Sequence, residues 1–166
     1  MTKPSIERVR EILSYDPGTG EFRWRMDRRG GVKDGSSAGT VNKQGYRIIR
    51  IDMGFYKAHR LAWFYVYGEW PNGFIDHINF DASDNRIVNL REASMAENQR
   101  NRGRQKNNTT GYKGVRFDKR WRGRWYARIV VNDNEIHLGS FATAEAARAA
   151  YAEAARRLHG EFAKVD

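Results

Sequence analysis

Two periods of apolar positions divide the first part of the chain. Apolar residues recur at helical spacing within residues 5–13, and Ser5 is a residue type suited to cap the start of a helix. The run 16–20 (DPGTG) has the composition of a turn. Residues 22–26 and 45–51 instead alternate apolar with polar positions, which is the period of a strand. The pattern predicts a short helix followed by a small antiparallel sheet.

The middle of the chain predicts a strand, a loop, a strand and a helix in that order. Helical spacing over residues 58–67 comes first, and short strands are expected at 74–78 and 86–90, joined by a turn-rich loop. Ser94 and Glu97 are three residues apart, which is the spacing of a capping box. A second helix is therefore predicted to begin there.

The last third of the chain predicts a separate domain. A polar, basic stretch without periodicity covers residues 103–110, and we expect it to be an interdomain linker. Three strand-like stretches follow, and then a predicted helix. Thr143 is suited to cap its start, and apolar residues form a stripe along one of its faces. These strands are expected at 114–117, 125–131 and 135–141, with a hairpin turn at 132–134. The predicted domains are residues 1–102 and 111–166.

The positive charge of the chain is concentrated in one segment. The formal net charge is +10, and residues 99–128 hold eleven Lys or Arg against a single acid, Asp118. Basic and acidic residues balance in the rest of the chain. Tyr112, Trp121 and Trp125 lie within the basic segment, and cations interleaved with aromatic rings are typical of a surface that binds a polyanion. A solvated basic linker is the alternative interpretation.

The composition excludes several classes of protein. The 166 residues contain no cysteine, so disulfide frameworks and thiolate metal sites are excluded. No apolar run approaches the roughly 20 residues of a membrane span, so a soluble globular protein without a membrane partner is expected. The first residues lack the apolar stretch of a secretory signal, and an intracellular, cytoplasmic location is expected.

Four polar residues of the predicted strand, loop, strand and helix are candidates for phosphodiester chemistry. Asp76 and His77 stand in the first strand, whereas Asn89 lies in the second strand and Asn98 in the helix. Imidazole can act as a base near neutral pH, and carboxylate and amide oxygens suit a hard divalent cation such as magnesium. Phosphodiester hydrolysis needs a base that activates water and a cation that stabilises charge on the phosphate. Alternatively, these Asp and Asn residues only shape turns.

The same part of the chain carries a family motif. Its residues are 75–79 (IDHIN), 84–91 (DNRIVNLR), Ser94 and 97–98 (EN). They resemble the HNH nucleases with the ββα-metal, or His-Me finger, motif, in the homing-type branch that phages and mobile introns encode. The resemblance implies that His77 is the general base and that Asp76 and Asn98 hold a divalent metal. It implies that Asn89 is the middle residue of the motif.

Two positions leave alternatives open. Many relatives have His at the last motif position, whereas Asn98 matches the usage of the homing branch, and this difference leaves the metal preference open. Magnesium is expected, with manganese as the alternative. His59 lies in the stretch 58–63 (AHRLAW), which also resembles the region before the motif in phage HNH proteins. It could support the active site, but a structural hydrogen bond at the helix start is the preferred interpretation, so His59 is left out of the catalytic set.

The C-terminal part carries a second set of motifs. They are 111–116 (GYKGVR), 125–129 (WYARI), 137–141 (HLGSF), 144–151 and 160–163 (GEFA). Residues 111–165 resemble the DNA-binding domain of plant APETALA and ethylene-response transcription factors, which also occurs fused to phage HNH nucleases. The resemblance implies a three-stranded sheet packed on a helix. Arg and Trp side chains of such a sheet enter the major groove, where base edges can be read.

This second resemblance implies a set of DNA-binding residues. Arg116 keeps a DNA-contacting position of the family, and Lys113 and Trp121 are further candidates. Further positively charged side chains that can contact DNA are expected at Lys119, Arg120, Arg124 and Arg128. Glu135 and His137 stand where the plant proteins have Arg and Trp, so the plant target sequence does not transfer.

Together these expectations describe a two-domain α+β protein. A small N-terminal sheet and a ββα-metal HNH unit, with its core at about 74–102, precede a three-stranded antiparallel sheet packed on one helix. The predicted function is a metal-dependent, homing-type endonuclease acting on double-stranded DNA, whose single active site permits nicking by a monomer or double-strand cutting by a dimer. The alternatives are a non-catalytic DNA-binding regulator with a degenerate HNH unit and an RNA-binding protein. The sequence specifies no protein partner.

Overall fold

A computed structural model describes residues 3–100, 108–119, 123–131, 134–163 and 165. The chain divides into two units, Met1–Ala93 and Ser94–Asp166. The predicted linker at 103–110 stays a prediction, because residues 101–107 lie outside the described part. Over the described ranges, every helix is too short or too polar to cross a bilayer.

The first unit contains two helices and seven short strands. In chain order they are α1 (Ile6–Ile12), β1 (Leu13–Asp16), β2 (Glu21–Trp24), β3 (Thr40–Val41), β4 (Arg47–Ile51), β5 (Gly54–Lys57), α2 (Ala58–Tyr67), β6 (Phe74–His77) and β7 (Leu90–Ala93). Both predicted helices are confirmed. The Ser5 hydroxyl accepts a hydrogen bond from the Arg8 amide at 3.2 Å, and α2 ends at Gly68 with a φ of 76°, a conformation that favours glycine.

The small antiparallel sheet predicted for the first part of the chain is in fact two sheets. β1 pairs with β2 as a hairpin, and β3, β4 and β5 form a separate antiparallel sheet with β4 in the centre. The prediction of one sheet was wrong because the tight turn after Asp16 returns β2 onto β1. The core between α1, these sheets and α2 buries Leu13, Phe22, Ile49 and Leu61 completely.

β6 and β7 form the hairpin in which the candidate catalytic residues lie. Phe74 pairs with Ala93 at one end and His77 with Leu90 at the other. The strand predicted at 86–90 was wrong, because Ile87–Asn89 form a 3₁₀ turn and the strand begins only at Leu90. The turn is closed by a hydrogen bond from the Asn89 amide to the Arg86 carbonyl at 2.9 Å. Apolar spacing alone did not distinguish this turn from a strand.

The second unit contains one helix before and one helix after three strands in chain order. In chain order it has α3 (Met95–Arg100), β8 (Val115–Asp118), β9 (Arg124–Val131), β10 (Asn134–Phe141), α4 (Ala144–His159) and a 3₁₀ turn (Gly160–Phe162). The capping box is confirmed, since the Ser94 amide donates to the Glu97 carboxylate at 2.8 Å and the Glu97 amide to the Ser94 hydroxyl at 3.2 Å. The predicted turn residues 132 and 133 lie outside the described part.

The three strands and the helix of the second unit form the expected layer pair. The sheet is antiparallel with the order β10, β9, β8, and α4 packs on one of its faces. Small side chains of α4, among them Ala147 and Ala154, are buried against Val115, Ala127 and Ile129 of the sheet. The predicted α+β class, with a three-stranded sheet on one helix, is confirmed.

Candidate functional site

The hairpin of β6 and β7 holds Asp76 and His77 away from solvent, each with 5% of its surface exposed. Asp76 lies directly opposite Arg91 in the strand register. The Nε and Nη2 atoms of Arg91 donate hydrogen bonds of 3.1 and 3.0 Å to the same oxygen, Oδ2 of Asp76. The guanidinium therefore compensates the charge of a carboxylate that the fold has buried.

The environment of His77 favours its neutral form. Burial lowers the pKa of His77, because the charged imidazolium loses hydration in the interior. The neighbouring Asn85 side chain and the negative charges of Asp76, Asp81 and Asp84 act in the opposite direction and raise it. The net lowering keeps the imidazole unprotonated near neutral pH, which is the form that can accept a proton.

Asn89 holds the loop between β6 and β7. Its Oδ1 accepts a hydrogen bond from the Asn79 amide at 2.9 Å, and its Nδ2 donates to Asn79 Oδ1 at 3.0 Å and to the Asp84 carbonyl at 2.9 Å. Its own carbonyl accepts from the Ile78 amide at 2.9 Å, directly after His77. The buried carboxamide of Asn89 therefore fixes the loop that follows His77. These contacts indicate that Asn89 positions the loop next to His77.

Three further hydrogen bonds, all accepted by the Asp84 carboxylate, stabilise the same loop. The Arg86 guanidinium donates to both carboxylate oxygens of Asp84, at 2.8 and 2.6 Å, and this contact lowers the pKa of Asp84 to about 2. Asn79 Nδ2 donates to Asp84 at 2.7 Å. The loop is therefore ordered by a network of polar side chains that links Asn79, Asp84 and Asn89.

The β1–β2 hairpin supports Asn85 from the other side. The Tyr15 hydroxyl donates to the Asn85 carbonyl at 2.8 Å. Gly20, with a φ of 76°, packs so closely that a Cβ there would lie 2.6 Å from the Asn85 carbonyl carbon. A residue with a side chain would therefore push this hairpin away from the loop that contacts His77.

Two further rings line the candidate base. The centroids of the His59 and His77 rings are 4.9 Å apart with an interplanar angle of 87°. Tyr46 lies 5.3 Å from His59 and 6.1 Å from His77. The expected structural hydrogen bond of His59 was wrong as far as the structure describes the chain, because its ring makes none there and packs against His77 instead.

The donor chemistry of the predicted metal ligands fits a hard divalent cation. Asp76 offers a carboxylate and Asn98 a carboxamide oxygen, which are ligand types that magnesium accepts. Asn98 lies on α3, in the second unit, whereas Asp76 lies in the first. Within the described residues, no three His, Asp or Glu side chains form a metal-binding cluster.

The second unit presents cations on the sheet face opposite α4. Arg116 pairs with Tyr126 and Arg128 with His137, so alternation places these side chains away from the buried Val115 and Ala127. Arg124 pairs with Asp118 on the same face as Arg116, and both arginines are exposed. Arg128 is engaged in an ion pair with Glu135 on the neighbouring strand. The structure thus brings three of the predicted DNA-binding arginines together.

Two other predicted DNA-binding residues lie in the turns on either side of β8. Lys119 is exposed in the turn that follows β8, and Lys113 is half-buried in the turn before it. Arg120 and Trp121 lie outside the described residues. Trp125 packs against Phe117, with ring centroids 4.9 Å apart, and against the core, so it belongs to the packed side.

Sequence reasoning missed several residues that surround His77. Arg91 and Asn85 are part of the recognised motif, but its pattern assigned neither a contact with Asp76 nor one with His77. Tyr46 and Tyr15 lie in β-rich segments distant in sequence, and nothing in their local pattern indicates the site. Only the tertiary arrangement brings these residues together.

Comparisons with known proteins identify one matching family and two relatives. The family model described as HNH endonuclease matches residues 56–100. Protein 3.8 of Escherichia phage T7 is 33% identical over 114 residues, which cover 66% of this chain and 93% of that protein. Dehydration-responsive element-binding protein 2E of Oryza sativa subsp. japonica is 48% identical over 63 residues, 37% of this chain, and the match spans only 19% of the rice protein.

Proposed function

Because the chain belongs to the family of phage T7 Protein 3.8 and carries an HNH endonuclease domain at residues 56–100, we propose that it is a metal-dependent DNA endonuclease of the homing type. The observation that carries the proposal is the placement of His77. It ends β6 inside the matched domain, next to the buried Asp76, with its neutral form favoured by burial. A biological role in homing rests on family analogy.

In this proposal His77 is the general base. Its neutral imidazole takes a proton from water as the water oxygen attacks the phosphorus, one phosphorus–oxygen bond breaks, and the leaving oxygen takes up a proton from solvent. Asn89 and Asn85 act as positioning residues, because Asn89 fixes the loop that follows His77 and Asn85 contacts the imidazole. Such a base typically contributes about 10²- to 10⁴-fold to the rate.

Asp76 and Asn98 are the residues proposed to hold a divalent cation, with magnesium preferred and manganese as the alternative. A cation bound there would supply positive charge for the phosphate and the leaving oxygen. The hydrogen bonds from Arg91 orient the Asp76 carboxylate, a role that outer partners of metal ligands commonly have.

We further propose that the second unit binds double-stranded DNA through the sheet face of Arg116, Arg124 and Arg128. Supporting this are the basic segment 99–128 and the similarity to a rice protein whose name describes binding to a dehydration-responsive element. Phosphate contacts from such a face would make binding strongly dependent on salt. Joining it to the nuclease unit would raise the local concentration of DNA at the active site.

A non-catalytic DNA-binding regulator is the second candidate function, and the rice similarity favours it. The two candidates share the DNA-binding face and differ in whether DNA is broken. The full chain should be incubated with supercoiled plasmid and with bacterial genomic DNA in magnesium or manganese, beside chelator and His77→Ala controls. Metal-dependent nicking or linearisation lost in both controls supports the endonuclease, whereas tight binding without breakage supports the regulator.

A further inference from the structure

His59 is a buried polar side chain that the proposed chemistry does not use. It lies in the first turn of α2 with 4% of its surface exposed. Its ring meets the His77 ring nearly at a right angle, 87°, with centroids 4.9 Å apart. Tyr46, just before β4, completes a group of three rings at the end of β6. Residues from two other segments of the chain therefore converge on the candidate base.

Packing alone does not explain a histidine at this position. Among the residues that the structure describes, none forms a hydrogen bond with the His59 ring, so such a bond does not explain the residue type. An aliphatic side chain of similar size would fill the same space. What the imidazole offers here is a flat ring that contacts another ring edge to face, an arrangement that aromatic pairs prefer.

We propose that His59 is a positioning residue that fixes the ring plane of His77 and so directs its proton-accepting nitrogen toward the attacking water. This inference rests on the proposed function, since it takes His77 as the general base. Rotation of the His77 ring would replace the edge-to-face contact with a less favourable one, and Tyr46 restricts the same rotation from its own side. A catalytic group must be held within roughly 10–20° of its productive geometry to work efficiently.

The charge state of His59 is consistent with this role. Burial, together with smaller contributions from the positive charges of His77, Lys57 and Arg60, lowers the pKa of His59 to about 3. His59 is therefore neutral wherever His77 can act as a base. A neutral neighbour does not repel the imidazolium that forms when His77 accepts a proton, whereas a cation at this distance would.

The proposal is tested on the full chain with paired substitutions. His59→Leu removes the ring and His59→Phe keeps it, while Tyr56→Leu is a matched control that removes a ring packed on Trp70, 5.6 Å away. We expect His59→Leu to lower kcat by a few-fold to about tenfold with an unchanged KM for DNA, and His59→Phe to restore most of the rate. Tyr56→Leu should leave kcat close to that of the wild type.

A second readout does not depend on cleavage. The ring resonances of His77, assigned by their loss in His77→Gln, should shift and broaden in His59→Leu and remain sharp in His59→Phe, because only the latter keeps the restricting ring. If the wild type does not cut DNA, the proposed function fails, and these spectra still decide whether His59 positions His77. Should His59→Leu not fold, His59→Met replaces it, since methionine adapts to irregular space.

Two results would overturn the inference. One is an unchanged kcat together with unchanged His77 resonances in His59→Leu, which would mean that the contact has no effect. The other is an equal loss of activity in the folded Leu and Phe variants, which would assign the effect to the His59 nitrogens and not to the ring.

Discussion

Asp76 and Arg91 face each other across the β6–β7 hairpin and form a buried ion pair, with 6% and 14% of their side chains exposed. Both hydrogen bonds from Arg91 converge on Oδ2 of Asp76. A residue that the family motif assigns to metal binding is thus held by an arginine of the same motif. The proposed metal ligand therefore has its orientation and its charge compensation fixed within one hairpin.

Loss of this arginine should destabilise the first unit. Arg91→Gln leaves the Asp76 charge buried without the guanidinium, and we expect a loss of about 3 kcal/mol in the free energy of unfolding, measured by urea titration. Arg23→Gln, which removes an exposed ion pair with Glu21, should lose less than about 1 kcal/mol. Magnesium should recover part of the Arg91→Gln deficit if Asp76 binds the cation. Equal losses in the two variants would contradict the importance of the buried pair.

The loop that follows His77 should depend on Asn89. Asn89→Ala removes three hydrogen bonds that the carboxamide makes with Asn79 and Asp84, and we expect a loss of about 2 kcal/mol in unfolding free energy. Cleavage should slow while DNA affinity stays the same. Val88→Ala is the control in the same turn, because Val88 is 77% exposed and should change neither quantity. Wild-type cleavage by Asn89→Ala would argue against a positioning role.

The buried His59 should make stability fall in mild acid. Its pKa is about 3 in the folded chain and about 6.5 when unfolded, so between these values only the unfolded chain binds the proton. The unfolding free energy is then fully retained above pH 6.5 and decreases as pH falls, by up to about 1.4 kcal/mol per unit for this group.

His59→Phe removes this titration, and its unfolding free energy should vary less steeply between pH 6 and pH 4 than that of the wild type. Tyr46→Phe keeps His59 and should preserve the wild-type slope. Chemical unfolding at several pH values measures the difference. Parallel curves for the wild type and His59→Phe would show that His59 becomes protonated without unfolding.

The sheet face of the second unit should contribute phosphate contacts. Arg116→Ala removes one exposed cation, so DNA affinity should fall and the slope of log affinity against log salt should decrease by about one. Arg157→Ala is the control, because Arg157 is exposed on α4, away from this face. Fluorescence anisotropy at several salt concentrations gives both slopes. An unchanged slope in Arg116→Ala would exclude Arg116 as a phosphate contact.

Local patterns predicted the helices and the second sheet well. Ser5 and the Ser94–Glu97 capping box mark helix starts because their hydrogen bonds involve residues three positions away. The 3₁₀ turn at Ile87–Asn89 was predicted as a strand, because its stability comes from the bonds of Asn89 to residues up to ten positions distant. A local apolar period does not record such bonds.

In the candidate site, too, local patterns identified some residues and missed others. Asp76 and His77 were identified from a contiguous motif, and the structure places them together at the end of β6. Tyr15 is 70 positions along the chain from Asn85, whose carbonyl it contacts. Tyr46 and His59 are 31 and 18 positions from His77. Hairpin and helix packing brings all three residues to the site. Their roles depend on tertiary contacts, which single-sequence patterns do not encode.

The central claim is that His77 is the base of a DNA-cleaving site, and single-turnover cleavage tests it most directly. Wild type and His77→Ala are compared with magnesium and protein in excess over DNA, with binding of both measured in parallel. The account predicts equal DNA binding and cleavage at least about 10²-fold slower in His77→Ala. Cleavage at the wild-type rate by His77→Ala, or no cleavage by a wild type that binds DNA and magnesium, would contradict it.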